Sequence, residues 1–249
     1  MKAYFDVEWK ILSKSSQLPG SLARIHCRIK TVDRLTEASL DILINTGWYA
    51  LLIAMAGDVV ISLLLPVFYR GYSVLKMSIS ALGNPQSPVR LPFNIWMLLE
   101  GVLLVFALPA LFRLYYPVSR GLTVTLAVFI AVFAVGACIF TCFFSVNETR
   151  DEVTVSSKIH GVGSVTGFML FLFVPLLTAI LSFKVKDGVT GGISIACFVL
   201  ALLFFTLFVM SDKEELSGTV IANEGLWQRL NLLFMYMPLG IVAVKNIIG

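Results

Sequence analysis

Six separate stretches of about twenty apolar residues govern what this 249-residue chain can fold into. They cover residues 47–69, 92–112, 121–144, 161–183, 188–210 and 226–248. A helix rises about 1.5 Å per residue, so about twenty residues cross a hydrocarbon core of about 30 Å. Backbone groups in lipid must find partners within their own segment, which favours helices over open strands. A barrel would alternate polar and apolar residues in segments of about ten, and these runs are continuous. Charged residues make up 14% of the chain, against about a quarter in soluble domains, and the mean hydropathy is +0.89. The fold class expected is all-α: a polytopic membrane protein with six transmembrane helices in one bundle. Residues 46–249 form the transmembrane domain, and residues 1–45 a tail that precedes it.

The tail shows no apolar signal region after Met1, because Asp6 and Glu8 interrupt it. Pro19-Gly20 breaks it, and Arg24, Arg28, Lys30 and Arg34 follow as a basic group. Residues 31–44 suit a short amphipathic helix at the membrane surface. The net charge of +4 sits mostly in the first 34 residues, which fits an anionic membrane surface better than nucleic acid. With the N-terminus inside, twelve Lys and Arg fall on the inner side and six in the outer loops. The positive-inside rule then predicts a cell-membrane protein with both termini cytoplasmic.

In that topology the connector after the first span faces outward. Residues 72–88 carry four serines, with Ser73 as an N-cap, Gly83 as a C′ residue and Asn84-Pro85 as a stop. They predict a short interfacial helix of two to three turns. Two other outer loops end in unusual residues. His160 opens the fourth span, and Glu224 and Arg229 flank Trp227 at the start of the sixth. Trp227 suits an interfacial anchor. Arg229 is expected to snorkel outward, pair with Glu224 or hold an anionic headgroup.

Two carboxylates fall inside spans. Asp58 is at the middle of the first and Glu100 lies at a comparable depth in the second, so both are expected to face the bundle interior. They suit a proton relay or a cavity, or hydrogen bonds to Asn94, Ser62 or a backbone carbonyl.

Other patterns exclude functions. The four cysteines have no CxxC and no metal spacing, and His26 lies in the tail, so no metal site and no cofactor is expected. Gly161-Val162-Gly163-Ser164 is neither a nucleophile elbow nor a dinucleotide loop. Gly163 with Gly167, and Gly188 with Gly192, have the spacing of close helix packing. Pro109, Pro175 and Pro238 are expected to kink their spans.

Tyr72-Ser73, then Ile79-Ser80-x-Leu82-Gly83 and Pro85, make one ordered pattern in the connector. In that pattern the chain resembles the bacterial and archaeal six-span family catalogued as domain of unknown function 998. Asn94 and Gly101 follow in the second span, His160 at the fourth, and Gly225-Leu226-x-x-Arg229 at the sixth. The resemblance implies Phe-Pro-x-Asp after the third span, where this chain has Phe144-Ser145-Val146-Asn147. If that Asp has a role, either Glu148 takes it here or the role is lost. The family brings no activity with it.

The sequence therefore leaves three functions open. The first is a membrane protein with an outward-facing polar site in a lipid-binding, sensory or envelope-assembly role. Its partners would be membrane lipids or another membrane protein. The second is a membrane-embedded hydrolase or transferase on a lipid, with His160, Ser80, Ser78 and Glu148 as catalytic candidates. The third is a small proton- or ion-coupled transporter using Asp58 and Glu100. Arg229, Glu224, Asn147 and Asn94 are the ligand-binding candidates. Whether the protein is an enzyme stays open.

Overall fold

The computed structural model describes residues 20–146 and 154–249, with side chains from Glu37 onward. Asn147 and Glu148, and the start of the tail, lie outside the described residues. The chain divides into two units, Met1–Leu43 and Ile44–Gly249. The first is helical from Gly20 on. The second contains the helical bundle.

Every described element is helical, and six helices are long and apolar enough to cross a membrane. They are Glu37–Phe68, Arg90–Tyr115, Arg120–Phe143, Val155–Lys184, Gly188–Met210 and Glu224–Ile248. The first and fourth begin earlier than their apolar runs, because Thr, Ser and Lys at a span end continue a helix without being apolar. Thr154 caps the fourth, exchanging hydrogen bonds with Ser157 in a capping box.

Three spans are irregular, each for a readable reason. The first tightens into a 3-10 turn at Leu65–Phe68, where Pro66 supplies no N–H. The third carries a π-helical turn at Ala134–Ile139. The fourth breaks at Leu172–Phe173, and Pro175 sits in the first turn of its second half, Val174–Lys184. Pro109 and Pro238 lie inside the second and sixth spans.

Small residues bring the spans together. Gly136 and Gly163 cross so closely that a Cβ on Gly136 would lie 2.5 Å from the Gly163 carbonyl oxygen. Gly167 seats against Ala137 and Phe133, and Gly101 against the Ala134 carbonyl. The packing expected at Gly163 and Gly167 is present. At Gly188 and Gly192 it is not. Both face open space, and Gly191 between them packs against Phe183.

The break in the fourth span divides its allegiance. Its first half packs on the third span, and its second half packs on the fifth and sixth. The fifth and sixth spans pack along each other. Near the connector, the fourth span therefore leaves the fifth, and a gap opens between them.

At the opposite end, Asp187 caps the fifth span by accepting from the Thr190 N–H and hydroxyl. Lys245 at the end of the sixth donates to both Asp187 carboxylate oxygens, at 2.9 and 2.7 Å. Hydrogen bonds from Lys245 and Thr190 hold the Asp187 carboxyl at about 2, below its ordinary value. The Asp187 carboxyl is thus ionised at neutral pH. Being at the surface, the pair contributes about 1 kcal/mol at most.

Candidate functional site

The gap leads into a cavity of about 530 Å³. Its connector end is polar. Ser78 and Ser80 come from the connector, His160 and Ser164 from the fourth span, and Glu224 and Gln228 from the sixth. Its walls are apolar, with Val165, Phe168 and Met169 on the fourth span facing Phe205, Phe208 and Val209 on the fifth. The rings of Phe168 and Phe208 stack across the gap at 6.5 Å. Its floor holds Asp58, Glu100 and Phe133. Counted along their helices, these three lie about 15 Å from the connector end. That is the depth of one leaflet's hydrocarbon.

The connector is not the single helix its sequence suggests. Ser73 does cap a turn, accepting the Lys76 N–H on its hydroxyl at 3.3 Å. That turn ends at Met77, Ser78 is extended, and a separate 3-10 helix runs Ile79–Gly83. Gly83 takes no left-handed conformation, since positive φ among the described glycines occurs at Gly71 and Gly218. Gly83 is small because Phe93 lies against it.

Arg229 explains why the turn stops. It neither snorkels outward nor reaches the cavity lining. Its Nη1 donates to the carbonyls of Val74 and Gly225, both at 2.9 Å, and of Met77 at 3.3 Å. Its Nη2 donates to the Ser62 carbonyl at 3.1 Å and the Tyr72 hydroxyl at 2.9 Å. The α-helical partner of the Ser62 carbonyl would be the N–H of residue 66, which is proline. Arg229 fills that vacancy and ties the first span, the connector and the sixth span together. Tyr72 completes the clamp by donating to the Ser78 carbonyl at 2.8 Å. Burial pushes its hydroxyl above the usual tyrosine value against the opposing charge of Arg229, so it stays a donor.

Gln228 joins connector to cavity. Its Oε1 accepts the Ile79 N–H at 2.7 Å. That bond orients the amide and leaves its NH₂ as a donor at the cavity wall.

His160 is buried, at 5% exposure. Its Nδ1 lies 3.0 Å from the Phe144 carbonyl and its Nε2 3.4 Å from the Ser164 hydroxyl. A carbonyl only accepts, so Nδ1 carries a proton and Nε2 of the neutral ring accepts from Ser164. The serines proposed beside it behave differently, Ser80 donating to Ser78 at 3.3 Å.

Of the carboxylates, Glu100 accepts from Tyr236 at 2.5 Å on one oxygen, while its other oxygen has no partner among the described residues. Asp58 interacts electrostatically with Arg229 and with Glu100. Two of the partners expected for the carboxylates, Ser62 and Asn94, are placed elsewhere. Ser62 donates to Val59, and Asn94 lies beside Gly83 with its Oδ1 buried and unpartnered, away from the cavity lining. Among the described residues no group of three His, Cys, Asp or Glu could hold a metal ion, and Cys138, Cys142 and Cys197 are free thiols.

The cavity thus gathers Ser78, Ser80, His160, Glu224, Asp58 and Glu100, and leaves out Arg229 and Asn94. Sequence reading missed Ser164, Gln228 and Tyr236. Ser164 follows His160 by one helical turn, a signal that was available.

The sequence of this bundle matches the family model described as "Protein of unknown function (DUF998)" over residues 52–245. The chain belongs to the DUF998 family. The match takes in the connector, His160 and Arg229, so the clamp and the cavity both lie inside the DUF998 region. No curated protein and no solved structure matches the chain.

Proposed function

We propose that this DUF998 protein takes up an amphipathic molecule from the bilayer and holds it between the third, fourth and fifth spans. The observation that carries this is the lining of the cavity. It is polar at the connector and, through Asp58 and Glu100, at the floor, and apolar along the gap where the fourth span leaves the fifth. Such a shape fits a molecule with a polar end and an apolar chain, entering sideways from lipid. A hydrolase built on Ser78 or Ser80 draws no support from hydrogen bonding, since His160 turns to Ser164 and Phe144.

Val165 lines the gap and is 64% exposed, so a larger residue there fills the entrance without crowding the core. Native mass spectrometry of the protein in mild detergent is expected to show a retained small amphiphile. Val165→Trp is expected to reduce it at least tenfold, about 1.4 kcal/mol, with melting temperature unchanged. Equal retention in the variant would sink the reading.

The orientation we propose puts both termini in the cytoplasm and the connector on the outside of the cell membrane. The distribution of twelve against six basic residues supports it. Lys76 is exposed on the connector. In a chain otherwise freed of cysteine, Lys76→Cys is expected to react with an impermeant maleimide on intact cells. Labelling only after lysis would reverse the topology.

A further inference from the structure

The polar groups of the cavity are unequal in charge. Asp58, Glu100 and Glu224 all line it, and among the described residues no lysine or arginine does. The guanidinium of Arg229 is spent on five acceptors of the clamp. At the floor, Glu100 is 1% exposed and one of its oxygens has no partner among the described residues. Asp58 stands beside it, 6% exposed. Burying a carboxyl oxygen without a partner is costly, and the cost is recovered when a cation or a hydrogen-bond donor arrives.

We infer that the occupant of this cavity is an amphiphile bearing an organic ammonium group, received at the floor by Asp58 and Glu100. This rests on the reading of the cavity as an amphiphile site and adds the sign of the ligand's charge. A bare metal cation fits poorly. It needs about six oxygen ligands, and among the described residues the floor offers two carboxyls beside aromatic and apolar side chains. A zwitterionic phospholipid also fits poorly. Its phosphate would meet acidic side chains and, among the described residues of the lining, no cationic one. An ammonium on an apolar chain meets the carboxyls with its head, donates to the open Glu100 oxygen, and lays its chain along the phenylalanines of the gap. Phe133 at the floor adds a ring that favours a cation.

The test compares probes with one chain and three heads, decylammonium, decanol and decanoate. Each is titrated calorimetrically into the full chain in phosphatidylcholine nanodiscs, with empty nanodiscs as reference. Wild type is expected to bind decylammonium at least tenfold more tightly than decanol, and decanoate least. The double variant Asp58→Asn, Glu100→Gln is expected to lose that preference while still binding decanol, which shows that its cavity is intact. Sodium chloride exchanged for choline chloride is expected to leave decanol binding unchanged. Equal binding of the three probes, or an ammonium preference that survives the double variant, overturns the charge assignment. Binding of the probes that Val165→Trp also fails to weaken overturns the cavity reading as well, so the two failures are separable.

Discussion

Arg229→Met is expected to destabilise the protein by about 3–5 kcal/mol, the range for breaking a buried, hydrogen-bonded charge network. Methionine keeps much of the volume and removes every donor. Four carbonyls and the Tyr72 hydroxyl then lose a partner at once. The Ser62 carbonyl is the worst placed, because Pro66 offers it no alternative. Arg229→Lys should recover only part of the loss. One ammonium cannot span acceptors that a planar guanidinium reaches from two nitrogens. The expected result is a lower melting temperature in detergent together with trypsin cleavage after Lys76 at temperatures where wild type resists. Unchanged melting and cleavage in Arg229→Met would show the clamp to be dispensable.

The second large effect is expected at Gly225→Ala. A Cβ on Gly225 would overlap the backbone oxygens of Met77 and Val74, and would crowd Arg229 Nη1 at 2.9 Å. Two of these neighbours are backbone atoms, so no rotamer relieves the overlap. Overpacking of this kind typically costs about 1–3 kcal/mol. Leu226 is part of the same seam, since its N–H donates to the Leu75 carbonyl at 3.0 Å. The alanine variant is expected to lift the connector off the sixth span and expose Lys76 to trypsin as the Arg229 variant does. Combining the two should cost less than their sum, because they break one shared contact. Full additivity would mean that the two residues act separately.

Much of this fold was legible in the sequence. Apolar runs of membrane length admit few alternatives, and the six spans follow from them. The gathering of Asp58, Glu100 and His160 in one cavity has the same origin, because a polar side chain in a span is pressed toward the interior. The connector was legible only in part. Ser73 caps its turn as expected, but the helix stops at Met77 because Val74 and Met77 turn their carbonyls to Arg229. Backbone acceptors leave no mark in a sequence, so the clamp could not be read from Arg229 itself. Pro66 was the available clue, since a proline in a span orphans the carbonyl four residues before it. Tyr236 and Gln228 were missed for another reason. Each meets a partner more than a hundred residues away, and neither residue type stands out in an apolar helix.

The clamp also dictates an order of assembly. Ser62 and Arg229 are separated by 167 positions, and Val74 and Arg229 by 155. A ribosome delivers the connector early and the sixth span last. Until that last segment is inserted, the carbonyls of Ser62, Val74 and Met77 have no guanidinium to receive them. The connector end of the cavity therefore matures only with the sixth span, and a nascent chain stalled before that segment would present the connector unlatched.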